Sequence, residues 1–138
     1  MTSEFDTDAM VAGLSRWVLE ESPTRDAAAI NRMIDLVAAE VEGLPIAVER
    51  LPGRQGLGDT LVMRAGPRTD AKGILVMSHV DTVHPKGTID GPLPLRRDGD
   101  RLYGPGVYDM KGGAYLALEA FKRVAVAGSA QLPITFLF

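Results

Sequence analysis

Residues Gly73–Met77 read GILVM, and this unbroken apolar run limits the fold more than any other stretch of the chain. It is too short to be a buried helix, and a strand without a polar face calls for cover on both sides. Amphipathic helices must supply that cover, and the sequence offers them. Phe5, Met10, Leu14 and Trp17/Val18 recur at helical spacing and predict a first helix ending near Glu20, with Ser3 as its N-cap and Asp6 in its first turn. Ser22-Pro23 reads as the start of a second helix. Its apolar stripe is Ile30, Met33, Ile34, Val37 and Val41, and Gly43 with Pro45 closes it.

Further strands flank the run. IAVERL (46–51) alternates like a half-buried strand, and DTLVMRA (59–65) follows the glycine-rich turn PGRQGLG. A third helix is expected over Ala114 to Val126 through Leu116, Leu118, Phe121 and Val124, and a last apolar strand over Leu132 to Phe138. Between His84 and Tyr108 lies a long Gly- and Pro-rich segment with brief strand signals near Leu95 and Leu102; loops of this length in a compact domain usually carry function. Helices alternating with buried strands give an α/β fold, a helix-covered mixed sheet, and 138 residues suffice for one such domain. The chain stops on Phe138 inside an apolar run, which reads as a cut, so the Leu132–Phe138 edge is expected to be prone to aggregation.

Several functional classes drop out. The 15 basic and 18 acidic residues give a net charge of −3 without a basic cluster, which argues against nucleic acid and anionic membranes as partners. With no cysteine, disulfides and thiolate metal sites are excluded. The acidic start MTSEFDTD is not a signal peptide, and no apolar run approaches the roughly 20 residues of a membrane span, so a cytoplasmic location is expected.

Chemistry concentrates in two places. MSHVDTVHPKG (77–87) follows the GILVM run and holds both histidines, His79 and His84. In extended backbone, positions i and i+2 face one side, so His79 and Asp81 can serve one site. A metal-binding histidine needs its second ring nitrogen hydrogen-bonded, and Asp81 could do this or could steady the local loop. The second place is LYGPGVYDMKGG (102–113), where glycines allow a tight turn into a helix and Asp109 sits just ahead of it. The helix N-terminus favours the ionised, metal-ligating form of Asp109. A phosphate loop fails on detail, because Met110 precedes Lys111 and Gly112 follows it, and a dinucleotide loop fails because no glycine stands three residues after Gly106. The remaining residues have plain readings. Lys111 reads as a solvated helix-start residue, Tyr103 and Tyr108 as packing residues, and His84 as a loop residue within reach of substrate. Asp90, Asp98 and Asp100 read as turn residues.

Taken in order and at this separation, SHVDTV (78–83) and YGPGVYDMKGG (103–113) resemble the M20 family of metallopeptidases and amidohydrolases, nearest to its glutamate carboxypeptidase-like branch. ESPT (21–24) and the final ITFLF add to the likeness, while Pro105 stands where many members have arginine and Met110 where some of the branch have a second aspartate. The resemblance implies two zinc ions (cobalt or manganese can substitute) and hydrolysis of an amide bond beside a free carboxylate, as in an acyl-glutamate or a peptide C-terminus. It assigns His79 as a metal ligand, Asp109 as the carboxylate bridging both metals, and Asp81 as the catalytic acidic residue that positions the histidine. It also implies a cis peptide at Asp109–Met110. In the family a zinc-activated water attacks with help from a glutamate base found just after the strand matching ITFLF; further ligands and a lid domain that mediates homodimerisation come later. Residues 1–138 are therefore expected to be the front part of the catalytic domain, inactive alone. A non-catalytic binding module that keeps only the first half of the fold is the alternative.

Overall fold

The structure, a computed structural model, describes residues 5–138, so the Ser3 cap lies outside the described residues. Helix α1 spans Thr7–Leu19 and α2 spans Ala27–Ala39. The N-cap of α1 is Asp6, whose carboxylate accepts from Ala9 N at 2.9 Å, rather than Asp6 lying within the first turn. The start of α2 also departs from expectation. Asp26, accepting from Ala29 N, caps it, while Ser22 and Pro23 stay outside the helix. The reason is tertiary: Ser22 Oγ donates to Val80 O at 2.6 Å and Pro23 bridges Thr82 in parallel, so these residues are occupied by a distant segment.

Strands β1 (Ala47–Leu51), β2 (Thr60–Ala65) and β3 (Ile74–Met77) follow, then the small hairpin β4 (Arg96–Asp98) and β5 (Arg101–Tyr103). A wide turn over Val107–Lys111 leads into α3 (Gly112–Ala127), and β6 (Ile134–Leu137) closes the order. The main sheet runs β1-β2-β6-β3, antiparallel except for the parallel β3–β6 pair, so it is mixed as expected.

One core joins the helices to the sheet. Trp17 of α1, the Ile30/Met33/Ile34/Val37 stripe of α2 and Leu118 and Phe121 of α3 share it with Leu61, Met63 and Ala65 of β2 and Phe136 of β6. Phe136 sits edge-on to Phe121 at 5.7 Å and stacks on Phe138 at 4.5 Å, while Trp17 meets Tyr115 edge-on at 5.0 Å. Leu116, placed on the apolar stripe by periodicity, instead points to solvent.

Burial corrects three strand expectations. The GILVM strand is not covered on both faces: Val76 meets the core, but Leu75 and Met77 on the opposite side are 60% and 65% exposed. Among the described residues nothing covers that face, and β3 is an edge strand paired with β6 alone. Strand β1, expected to be half-buried, is exposed along its whole length as the other edge. The last strand, expected to be an exposed edge, is central, bonded on both sides. No helix among the described residues is long and apolar enough to cross a membrane.

Candidate metal centre

In a sheet with parallel strands, functional groups collect beyond the carboxyl ends. Ser78 N extends the β3–β6 ladder by donating to Leu137 O at 2.9 Å, and His79 is the first residue past it. Asp109 reaches the same place from the turn before α3, thirty positions later in the chain. Gly106 makes that approach possible. Its φ is +71°, and a Cβ there would stand 2.4 Å from Thr82 Cγ2, so the turn closes directly onto the His79–Thr82 segment.

The result is a short chain of polar contacts. His79 Nε2 lies 3.0 Å from Asp109 Oδ1, and Nδ1 lies 3.1 Å from both Oδ1 and the main-chain carbonyl of Asp81. The other oxygen of Asp81 accepts from Thr24 Oγ1 at 2.6 Å. Asp109 is the most open member, its side chain 71% exposed, while Asp81 is sheltered behind the ring. The peptide between Asp109 and Met110 is cis, as the resemblance implied.

Among the described residues, no three His, Cys, Asp or Glu side chains converge as a metal cage requires. The fold brings together a pair, His79 and Asp109, with a carboxylate behind the histidine. That pair fits a metal edge: two ligands at zinc bond lengths in a tetrahedral site stand about 3.3 Å apart, and Nε2 and Oδ1 stand 3.0 Å apart. A carboxylate on the remote ring nitrogen is the usual partner of a ligating histidine.

Two surroundings were not legible beforehand. Lys111 is fully buried rather than solvated, its Nζ donating to Trp17 O at 2.8 Å and Glu20 O at 2.7 Å at the end of α1. Burial pushes its pKa down to about 8 against weaker support from the Glu20 and Glu21 charges. Glu21 accepts from Gly87 N at 2.7 Å and Ile89 N at 3.0 Å, fixing the loop after the histidine. The shared wording ESPT was the signal that could have singled out Glu21 and Thr24. Tyr108, read as a packing residue, is 99% exposed beside Asp109. Tyr103 does pack, under the Arg96 guanidinium at 3.8 Å, and His84 is half-buried in its loop.

Comparison with known proteins places the chain among peptidases. Residues 75–138, which hold His79, Asp81 and Asp109, match the profile of Peptidase family M20/M25/M40. Carboxypeptidase G2 of Pseudomonas sp. (strain RS-16) is 36% identical over 133 residues, covering 94% of this chain and 31% of the relative. Among solved structures, human carnosine dipeptidase 1 superposes with a TM-score of 0.75 at 22% identity, covering 94% of this chain and 31% of that one. The M20 family metallo-carboxypeptidase Sso-CP2 from Sulfolobus solfataricus gives 0.74 at 16% identity, covering 96% and 30%. The chain thus spans about a third of the length of the proteins it matches. The α/β fold, the carboxypeptidase G2 likeness along nearly the whole chain and the profile match over its motifs converge on one likeness: the chain is similar to the M20 peptidases, and residues 75–138 carry that family's profile.

Proposed function

We propose that this chain is the front part of the catalytic domain of a zinc-dependent hydrolase that cleaves an amide bond beside a free carboxylate, such as an acyl-glutamate or a peptide C-terminus. The observation that carries the reading is the His79–Asp109 pair at 3.0 Å with Asp81 behind the ring. His79 Nε2 and Asp109 Oδ1 would hold the metal, and Asp81 would keep the Nδ1 proton so that Nε2 presents its lone pair. When bound, zinc supplies Lewis-acid chemistry, lowering the pKa of water and polarising the scissile carbonyl. His79, Asp81 and Asp109 include no glutamate base and too few ligands to close a zinc site, so the 138-residue chain binds zinc weakly and does not turn over substrate. The carboxypeptidase G2 likeness supports a substrate with a free carboxylate, and the same reading places the complete protein in the cytoplasm as a homodimer.

Calorimetric zinc titration of the chain tests this. A measurable affinity that His79→Ala and Asp109→Asn each abolish supports the reading. Binding unaffected by both substitutions overturns it and leaves a non-catalytic binding module as the account.

A further inference from the structure

The residues that face a metal are held by others, and the fold shows which. The segment that leaves α1, residues 20–24, runs alongside residues 80–82. Thr82 N donates to Ser22 O at 2.8 Å, Thr24 N donates to Thr82 O at 3.2 Å, and Ser22 Oγ donates to Val80 O at 2.6 Å. Main-chain bonds and the Ser22 hydroxyl therefore hold the backbone of the histidine loop, to which the Thr24 hydroxyl adds only a longer contact with Thr82 O at 3.3 Å. What this backbone pairing leaves free is the torsion of the Asp81 carboxylate. A carboxylate beside a ring nitrogen can rotate and offer either oxygen, or turn to water.

Thr24 removes that freedom. Its hydroxyl donates to Asp81 Oδ2 at 2.6 Å, a short charge-assisted hydrogen bond, which leaves Oδ1 aimed at His79 Nδ1 at 3.1 Å. Both ends of the relay are anchored to the same stretch of chain. Lys111, two residues beyond Asp109, is tied to Trp17 O and Glu20 O, seven and four positions before Thr24 in the sequence. The exit of α1 thus brackets the pair, holding the Asp109 turn through Lys111 and the His79 ring through Thr24 and Asp81.

We propose that Thr24 is a positioning residue for the metal pair: through its hydroxyl it orients the Asp81 carboxylate and, through Asp81, the His79 ring. This rests on the metal-centre reading above for its effect on zinc, but the orientation itself is a property of the metal-free chain. Thr24 is largely exposed, and its backbone bond to Thr82 does not need the side chain, so Thr24→Val removes the hydroxyl without a core defect.

Two measurements decide it. With only two histidines in the chain, imidazole signals in nitrogen-15 spectra of histidine-labelled protein are readily assigned. A His79 Nδ1–H resonance protected from exchange is expected in the wild type and in Thr24→Ser, and clearly faster exchange is expected in Thr24→Val, where the Asp81 main-chain carbonyl at 3.1 Å is the acceptor that stays fixed. Zinc affinity should fall about tenfold in Thr24→Val, recover in Thr24→Ser, and fall no further when Thr24→Val is added to Asp81→Asn, because the hydroxyl acts through that carboxylate. An unchanged Nδ1–H signal in Thr24→Val overturns the proposal, as does Thr24→Ser behaving like Thr24→Val. Equal and additive losses in the double variant also overturn it. If the wild type binds no zinc while the Nδ1–H signal still depends on the hydroxyl, the metal reading fails and the positioning role stands.

Discussion

Lys111 Nζ donates to the carbonyl of Trp17 at 2.8 Å inside the protein, joining the start of α3 to the end of α1. Replacing it with alanine leaves the carbonyls of Trp17 and Glu20 unpaired and a void where the side chain lay. Lys111→Ala is therefore expected to cost about 2–4 kcal/mol in denaturant unfolding.

The same lysine sets a pH dependence. Burial lowers its folded pKa from 10.5 to about 8. The unfolded chain then holds a proton that the folded chain has released, so stability contributed by this group rises with pH from about 8 to 10.5. The stability gap between wild type and Lys111→Ala should widen across that window, by no more than roughly 3 kcal/mol. A gap that stays constant or narrows from pH 7.5 to 10 contradicts the assignment.

Gly106 combines a left-handed φ of +71° with no room for a Cβ against Thr82. Gly106→Ala should destabilise the chain by about 1–3 kcal/mol and push the Asp109 turn away from His79. Thermal unfolding reports the first effect and zinc titration the second.

Phe136 is fully buried between Phe121 and Phe138 in one of the two inner strands of the sheet. Phe136→Ala should cost about 3–5 kcal/mol, a large part of the stability of a domain this size. Urea titration followed by the single tryptophan, Trp17, which itself stands edge-on to Phe138, would report it.

Strand β3 exposes Ile74, Leu75 and Met77 along an edge that no strand among the described residues pairs with. Leu75→Lys places a charge on the side away from the core and should reduce self-association without loss of stability. Light scattering against concentration distinguishes this from association through the β1 edge, which the substitution would leave unchanged.

Much of this was legible in the sequence, for physical reasons that differ from case to case. The Ile30, Met33, Ile34 and Val37 stripe is buried because helical periodicity reports directly which face meets a core. His79, Asp81 and Asp109 do meet, as their motif wording implied. Lys111 escaped notice because its burial depends on carbonyls more than ninety positions away, and a local reading of lysine defaults to solvent. Ser22-Pro23 carries a sound helix-start signal, but pairing with residues 80–82 overrides it. The GILVM run tells that a strand is apolar, and says nothing of whether the described chain supplies a cover for its second face.

The position of β6 has a consequence for how the protein comes into being. Strands β1 and β2 can close on each other as soon as both have left the ribosome, but β2 and β3 are not paired with each other; β6 lies between them. The strand that leads into His79 therefore has no hydrogen-bonded neighbour in the sheet until residues 134–137 have been translated. During synthesis the nascent chain carries the apolar segment GILVM unpaired through about sixty further residues, at roughly 5–20 residues per second, several seconds in which both of its edges are open to other chains.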